Sequence, residues 1–501
     1  LIKHDPIPFL GNYINGEFHS QGLKDEEWSN LSPANHSEVV ANCKTSYSHV
    51  DECVVSAKKA FVNWSNLKME ERIESVLLVK EAFEKNREAL ELTIARETGK
   101  PLWECKTEVN AMIGKFAVTI DHSLKLIEEQ KIKEIAPGVD GYIRFVPRGV
   151  LAVLGPFNFP GHLPNGHIVP ALIAGNTIVF KPSELTPMTA QVIASCFQEA
   201  KIPSGVFNLV QGGGEVGRRL VSHKEIEGVL FTGSYETGLK IQQATLNDYW
   251  KINALEMGGK NSTIVWQDAD LEKALYDSLV GSFLTAGQRC SGTSRIFLHE
   301  KIHDEFLDKF YEKAKKLKIG HWNSNSFMGP LISGKSVDGY LRFQEIALRE
   351  GAKKIMRGKI IEPDVTGNYV TPSIYTLGSY DAKSVYQNSE IFGPNVAIYK
   401  INDMNEPIVA NNTTGYGLSM AVFSKDKEIY TQALKKAKVG LLNWNRTTNG
   451  ASSRLPFGGC GKSGNGRPAA HFAVYYSTNA VASLEDQNSF DQSKILPGVE
   501  W

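Results

Sequence analysis

Cysteine is scarce and scattered in this sequence. The 501 residues hold six, Cys43, Cys53, Cys105, Cys196, Cys290 and Cys460, with no C-x-x-C pair and no regular spacing. That argues against a disulfide framework and a structural zinc site, and it fits a reducing compartment. Net charge is also missing, since Lys+Arg and Asp+Glu each number 55. A balanced chain lacks the broad basic surface that holds nucleic acid. No run of 18 apolar residues occurs, and residues 1–18 lack the charged-then-apolar order of a signal segment. There is no internal repeat and no low-complexity tract. Together these absences point to a cytoplasmic protein with neither nucleic acid nor a membrane as partner.

What is present is ordinary globular material, 42% apolar and 22% charged, in a chain long enough for about two to four domains. Tyr13-Ile14-Asn15-Gly16-Glu17-Phe18 reads as a hairpin. Residues from about 50 to 130 have the spacing of amphipathic helices, broken at Gly99-Lys100-Pro101. Tyr142-Ile143-Arg144-Phe145-Val146 alternates apolar and charged residues, as in a half-exposed strand of a protruding ribbon, and Pro147-Arg148-Gly149 ends it. From Val150 the rhythm changes. Strands are expected at 151–154, 177–180, 207–210, 228–231 and 251–255, with helices at about 163–173, 187–200, 214–222 and 234–246. Short apolar strands alternating with helices make a parallel sheet covered on both faces, with ligands at the strand C-termini. A second α/β rhythm runs from about 261 to 451, with a charged helix at 303–317, and residues 473–482 alternate like an edge strand.

Asn158, Lys181, Glu184, Gly233 and Glu256 sit where those strands end, and a thiol in a later turn joins them. Phe283-Leu-Thr-Ala-Gly-Gln-Arg-Cys290-Ser-Gly-Thr-Ser-Arg295 follows a helix with Leu271, Ala274, Leu275, Leu279 and Phe283 on one face. That helix should stop at Gly287, leaving Cys290 in a Gly/Ser/Thr-rich turn before a strand at 294–299. The turn can aim the thiol at a cleft, although most free cysteines are only small buried hydrophobes. Glu256, in Leu255-Glu-Met-Gly-Gly-Lys260, lies between an apolar strand and a glycine turn, where partial desolvation suits a general base; a capping Glu is the plainer reading. Asn158, in Pro156-Phe-Asn-Phe-Pro160, can donate to an oxyanion or close an Asx-turn. Gly233-Ser-Tyr-Glu-Thr-Gly238 opens a helix after a strand, as a phosphate site or a tight βα turn would. Lys181-Pro-Ser-Glu184 can reach ribose hydroxyls, or be a solvated loop pair. His299-Glu300-Lys301-Ile302-His303 has the form of a zinc-protease motif, but His299 ends a strand and the helix begins only near His303, so no metal site is expected.

These motifs together resemble the aldehyde dehydrogenase superfamily, in order and spacing, from about residue 13 to 482. Glu390-Ile-Phe392-Gly-Pro394 and Leu455-Pro-Phe-Gly-Gly459 extend the match, and Met257 and Cys460 are small departures from the usual pattern. Residues 158–171, 233–238 and 443–450 look most like the branch that oxidises the semialdehyde of N-succinylglutamate in arginine breakdown. The resemblance implies an α/β fold. A Rossmann-type NAD-binding domain would span 1–130 and 148–255, a catalytic domain 256–455, and an oligomerisation ribbon and tail 131–147 and 466–490. It implies Cys290 as nucleophile, Glu256 as base and Asn158 as oxyanion donor. Lys181, Glu184, Gly233, Ser234, Tyr235, Glu236, Thr237, Gly238, Glu390 and Phe392 would bind NAD. Glu184 at a ribose hydroxyl would disfavour a 2′-phosphate, hence NAD over NADP. The thiol would need a lowered pKa. The implied substrate is a dianion, for which His162, Asn165, Arg446 and Arg454 are the candidate contacts, and the implied assembly is a homodimer or larger homo-oligomer. A dehydrogenase of another ω-semialdehyde, such as succinic semialdehyde, and a catalytically silent binding or structural member are the competing readings.

Overall fold

Two seven-stranded sheets and a three-stranded ribbon carry the chain, in a computed structural model that describes residues 4–363 and 365–501. The first sheet runs in the order Ile252–Glu256, Gly228–Thr232, Val150–Leu154, Thr177–Lys181, Phe207–Leu209, Asn12–Ile14, Glu17–His19. Its first five strands are parallel. Their sequences, such as Val-Leu-Ala-Val-Leu and Gly-Val-Leu-Phe-Thr, are apolar on both faces because helices cover both faces. The two antiparallel strands form the expected hairpin, turned by Asn15 and Gly16 at φ of 52° and 92°, the left-handed pair that a two-residue turn requires.

Chain order reverses between Val150–Leu154 and Gly228–Thr232. The chain builds outward to one side from the first of these strands, then returns to the other side for the second. A crevice necessarily opens at the C-terminal ends of these two neighbours, because the helices that follow them leave on opposite faces. The expected helices are found as His162–Ile173, Pro187–Glu199, Gly214–Val221 and Tyr235–Ala244.

The second sheet runs Lys353–Met356, Ser373–Leu377, Asn395–Ile401, Thr293–His299, Asn261–Val265, Ser419–Phe423, Leu441–Trp444, with only the first strand antiparallel. Residues 257–260 are the link between the two sheets. Glu256 therefore stands at the last position of one sheet and faces the start of the other. The ribbon pairs Val139–Pro147 with both Thr478–Asp486 and Gln130–Ala136.

Three local expectations need correction. The helix before Cys290, Leu271–Phe283, stops at Phe283 rather than Gly287, because Leu284 is extended and Thr285 and Ala286 take left-handed φ of 57° and 53°. Residues 473–482 are not one strand. Ala473–Tyr476 is a helical turn, with Ala473 and Val474 buried and the Ser477 hydroxyl donating to the Ala473 carbonyl at 2.8 Å, and the strand starts at Thr478. Tertiary burial outweighs a four-residue alternation there. The charged helix ends at Ala314, short of 317. His299 closes a strand, Glu300–Ile302 is a 3-10 turn, and His303 opens a helix. No cluster of metal-ligating side chains occurs among the described residues, and none of their helices is long and apolar enough to cross a membrane.

Candidate active site

A cleft of about 970 Å³ opens at the reversal point. Asn158, Lys181, Glu184, Gly233, Ser234, Glu236, Thr237, Glu256, Cys290, Glu390 and Phe392 all line it. Tyr235 and Gly238 point elsewhere. Tyr235 packs on the apolar layer under the sheet, with Lys462 Nζ 5.6 Å from its ring. A Cβ at Gly238 would collide with Met257 Sδ, so this glycine permits close helix–strand packing.

At one end of the cleft, Ser234 caps the Tyr235–Ala244 helix by accepting from the Thr237 N–H at 3.2 Å. The first turn of that helix presents its remaining N–H groups and its positive dipole end toward the cleft. Lys181 is buried at the end of its strand and touches Glu184 at 3.4 Å. Burial pulls its proton affinity down, against the pull of Glu184. One long ion pair leaves ammonium hydrogens and carboxylate lone pairs free, which is the donor and acceptor set a ribose needs. Glu390 accepts from the Gly259 N–H at 3.0 Å, and any Cβ at Gly258 would strike its carboxylate. Desolvation raises Glu390 from its ordinary 4.5 to about 7. Phe392 stands edge-on to Phe157 at 5.8 Å across the cleft. This donor set, with a helix N-terminus beside it, fits a dinucleotide.

At the other end, Glu256 is 1% exposed, and neither carboxylate oxygen has a hydrogen-bond partner among the described residues. Burial, then the nearby Glu390 charge, raise its pKa well above the ordinary carboxylate range. Such a carboxyl stays protonated at acid pH, and once ionised it is a stronger base than an ordinary carboxylate. Cys290 is only partly buried and faces the same space. Its loop is pinned by Asn261, whose Nδ2 donates to the Cys290 and Gly292 carbonyls at 2.7 and 2.9 Å. The thiol does not have a lowered pKa in this environment. Desolvation, Glu256 and Glu390 push it well above 9.0, against the smaller opposing pulls of the Ser291 N–H and Arg289. Asn158 lies across the loop, its Nδ2 donating to the Gln288 carbonyl at 2.9 Å.

Behind Asn158 is a polar frame that the sequence does not announce. Lys100 and Glu108 form a buried ion pair. The Lys100 ammonium also donates to the Asn158 carbonyl at 2.9 Å, and Glu108 accepts from the Gly161 and His162 N–H groups at 2.9 and 3.1 Å. Arg289 pairs with Glu104 at 2.9 Å and donates to Thr285 Oγ1 at 2.6 Å, while the Thr285 hydroxyl itself donates to Glu104. Lys100 and Arg289 lie 4.3 and 4.8 Å from the Phe159 ring centre. In sequence, Gly99-Lys100-Pro101 reads only as a helix break. The one available signal was the spacing of Lys100, just before the Leu102–Val118 helix, with Glu104 and Glu108 on its otherwise apolar-rich first turns.

The candidate substrate contacts separate. His162 is partly exposed and its Nδ1 has no partner among the described residues. Asn165 is buried, with Nδ2 donating to the Met112 carbonyl at 3.0 Å, and ties two helices together. Arg446 and Arg454 are exposed. Their loop meets the residue after Cys290 through Asn449, whose Oδ1 accepts from Ser291 Oγ at 2.9 Å.

Comparison with known proteins agrees with this geometry. Residues 20–481 match the model of the aldehyde dehydrogenase family. The chain is 37% identical to the N-succinylglutamate 5-semialdehyde dehydrogenase of Acinetobacter baylyi, over 99% of this chain and 100% of that one. It is 40% identical to the protein of the same name from Legionella pneumophila, over 100% and 99%. Among solved structures, a betaine aldehyde dehydrogenase double mutant from Staphylococcus aureus in complex with NAD+ superposes with a TM-score of 0.90 at 30% identity, covering 97% of this chain and 98% of that one. HpcC from Thermus thermophilus superposes with a TM-score of 0.91 at 30% identity, covering 98% and 95%.

Proposed function

The chain belongs to the aldehyde dehydrogenase family, and from that premise we propose that it oxidises N-succinyl-L-glutamate 5-semialdehyde to N-succinyl-L-glutamate with NAD, in arginine breakdown by the succinyl route. The observation that carries the chemistry is the buried, unbonded Glu256 carboxyl facing the same cleft as Cys290. The observation that supports the substrate is full-length similarity to relatives of that name.

The reaction follows from the side chains. Cys290 gives up its proton to water in the cleft, and Sγ bonds to the aldehyde carbon as the C=O π pair moves onto oxygen. The resulting oxyanion accepts hydrogen bonds from Asn158 Nδ2 and the Cys290 N–H. Turning this thiohemiacetal into a thioester needs a hydride acceptor, which NAD supplies when bound. Glu256 then removes a proton from water, and the hydroxide displaces Cys290 from the acyl carbon. Lys181, Glu184, Glu390 and the Ser234 helix start hold the cofactor. Arg446 and Arg454, exposed on the loop whose Asn449 contacts Ser291, draw the dianion inward. The ribbon joins a second copy through Gln130–Ala136, whose residues are all exposed. Six unpaired thiols support a reducing, cytoplasmic setting.

The test is a steady-state comparison of N-succinylglutamate semialdehyde with succinic semialdehyde, each with NAD and with NADP. The expected result is the highest kcat/KM for the succinylated substrate with NAD. A higher kcat/KM for succinic semialdehyde would overturn the substrate assignment.

A further inference from the structure

Five lysines are buried among the described residues: Lys100, Lys115, Lys181, Lys251 and Lys260. Lys100, Lys181 and Lys251 each touch a carboxylate, on Glu108, Glu184 and Asp248. Lys260 lies in the field of Glu390. Lys115 has neither support among the described residues. It is 2% exposed on the Leu102–Val118 helix, and its ammonium makes a single hydrogen bond, to the Ala470 carbonyl at 3.1 Å. An ammonium has three N–H donors, and burying one without a counter-charge is unfavourable. No described residue neutralises that charge, and an anionic ligand would.

The surroundings point the same way. His162, His167 and His471 each have a buried Nδ1 with no hydrogen-bond partner among the described residues. His471 follows the Ala470 that Lys115 contacts, and the Asn165–Met112 hydrogen bond joins the Lys115 helix to the helix that carries His162 and His167. Burial first, and Lys115 after it, lower His167 to about 4; His162 also falls to about 4 and His471 falls too. The rings are therefore neutral at pH 7, each with one N–H, and the His167 ring also meets Thr232 Oγ1 through Nε2 at 3.5 Å. One ammonium and several unfilled imidazole positions form the donor set of a carboxylate site.

Its position suits the reaction. Ala469–Ala470 pairs with Pro456–Phe457, and the His471 N–H donates to the Leu455 carbonyl at 3.4 Å. His162 opens the helix that follows the Asn158 loop, and Asn158 is bonded to the residue two before Cys290. One turn on from His162, a Cβ at Gly166 would meet nothing within 4 Å, so the helix face is open there.

We propose that Lys115, with His162, His167 and His471, forms a carboxylate subsite that receives one acidic end of the substrate. This deepens the proposed function and rests on its dianionic substrate.

The test uses the full-length enzyme and the variant Lys115→Met. The measured quantity is the ratio of kcat/KM for N-succinylglutamate semialdehyde to that for hexanal, which has no carboxylate. The ratio should fall about 10- to 100-fold, the effect of losing a charge-assisted hydrogen bond. Glutarate should inhibit hexanal oxidation competitively in the unmodified enzyme, and Lys115→Met should abolish that inhibition. The melting temperature of the variant should equal or exceed that of the parent, because an uncompensated buried charge is removed. An unchanged ratio with unchanged glutarate inhibition overturns the subsite. So does a lower melting temperature with equal losses on both aldehydes, which would mean that Lys115 only braces Ala470. If the parent enzyme prefers succinic semialdehyde while Lys115→Met still abolishes glutarate inhibition, the substrate reading falls and the subsite stands.

Discussion

Glu256 and Cys290 are held protonated by the same surroundings, which fixes the direction of the pH dependence. A carboxyl with a raised pKa is neutral at low pH and cannot accept a proton; a thiol with a raised pKa is not yet nucleophilic. Both limits lift as pH increases, so kcat/KM should climb from acid through neutral into the alkaline range, as a pH-rate profile would record. Flat activity across that range would contradict the assignment. Glu256→Gln should lower kcat by about 10²- to 10⁴-fold, the usual loss of a general base. It should retain a first-turnover burst of NADH in stopped flow, because thioester hydrolysis is the step that needs the base. Stability carries its own sign. Glu390 sits at about 7 in the fold against its ordinary 4.5. Between those values the native state holds the extra proton, so Glu390 favours folding below about 4.5 and that contribution is lost as pH rises to about 7. Glu390→Gln should flatten this slope in urea melts run across the window. Glu256 and Cys290 were legible in sequence as residue types in suitable turns. Their proton affinities were not, because these depend on burial and on Glu390, which is distant in the chain.

The element that decides the site is the stretch between the Leu271–Phe283 helix and Cys290. Thr285 is β-branched and sits at φ 57°, a conformation that costs about 1–3 kcal/mol unless its surroundings hold it. Glu104 and Arg289 hold it through its hydroxyl. The opposite wall, the Asn158 loop, is held by Lys100 and Glu108. Glu108→Gln leaves a buried ammonium without its partner and should destabilise by about 3–5 kcal/mol, seen as a lower denaturant midpoint. The double variant Lys100→Met, Glu108→Leu should recover most of that stability, since an apolar pair of similar size replaces the ions. Its kcat should stay low, because the Asn158 carbonyl and the Gly161 and His162 N–H groups have lost their partners. Full recovery of both would show that the pair does not position Asn158. Strands such as Val150–Leu154 were readable because they are apolar on both faces. The left-handed turn at 285–286 was not readable, since no glycine marks it.

Across the whole molecule, the ribbon leaves Ile132, Ile135, Val481 and Leu484 between 43% and 69% exposed, with an open strand edge beside them. Those surfaces fit a second copy. Ile135→Glu with Leu484→Glu should reduce the mass measured by light scattering after size exclusion while leaving the melting profile of the subunit similar. A mass equal to one chain in the unmodified protein would remove the basis for that assembly. The α/β class, the strand and helix rhythm, and the order of motifs at strand ends were set by local pattern, because apolar periodicity and glycine turns act over a few residues. Which of those ends meet was decided only by the tertiary structure. The reversal between Val150–Leu154 and Gly228–Thr232 opens the cleft, and the link at 257–260 swings the second sheet so that Cys290 shares a cavity with Glu256 and Asn158. The pairing of Lys100 with Glu108, and the absence of a carboxylate beside Lys115 among the described residues, are likewise facts of packing. Charge in a buried site depends on what folds around it.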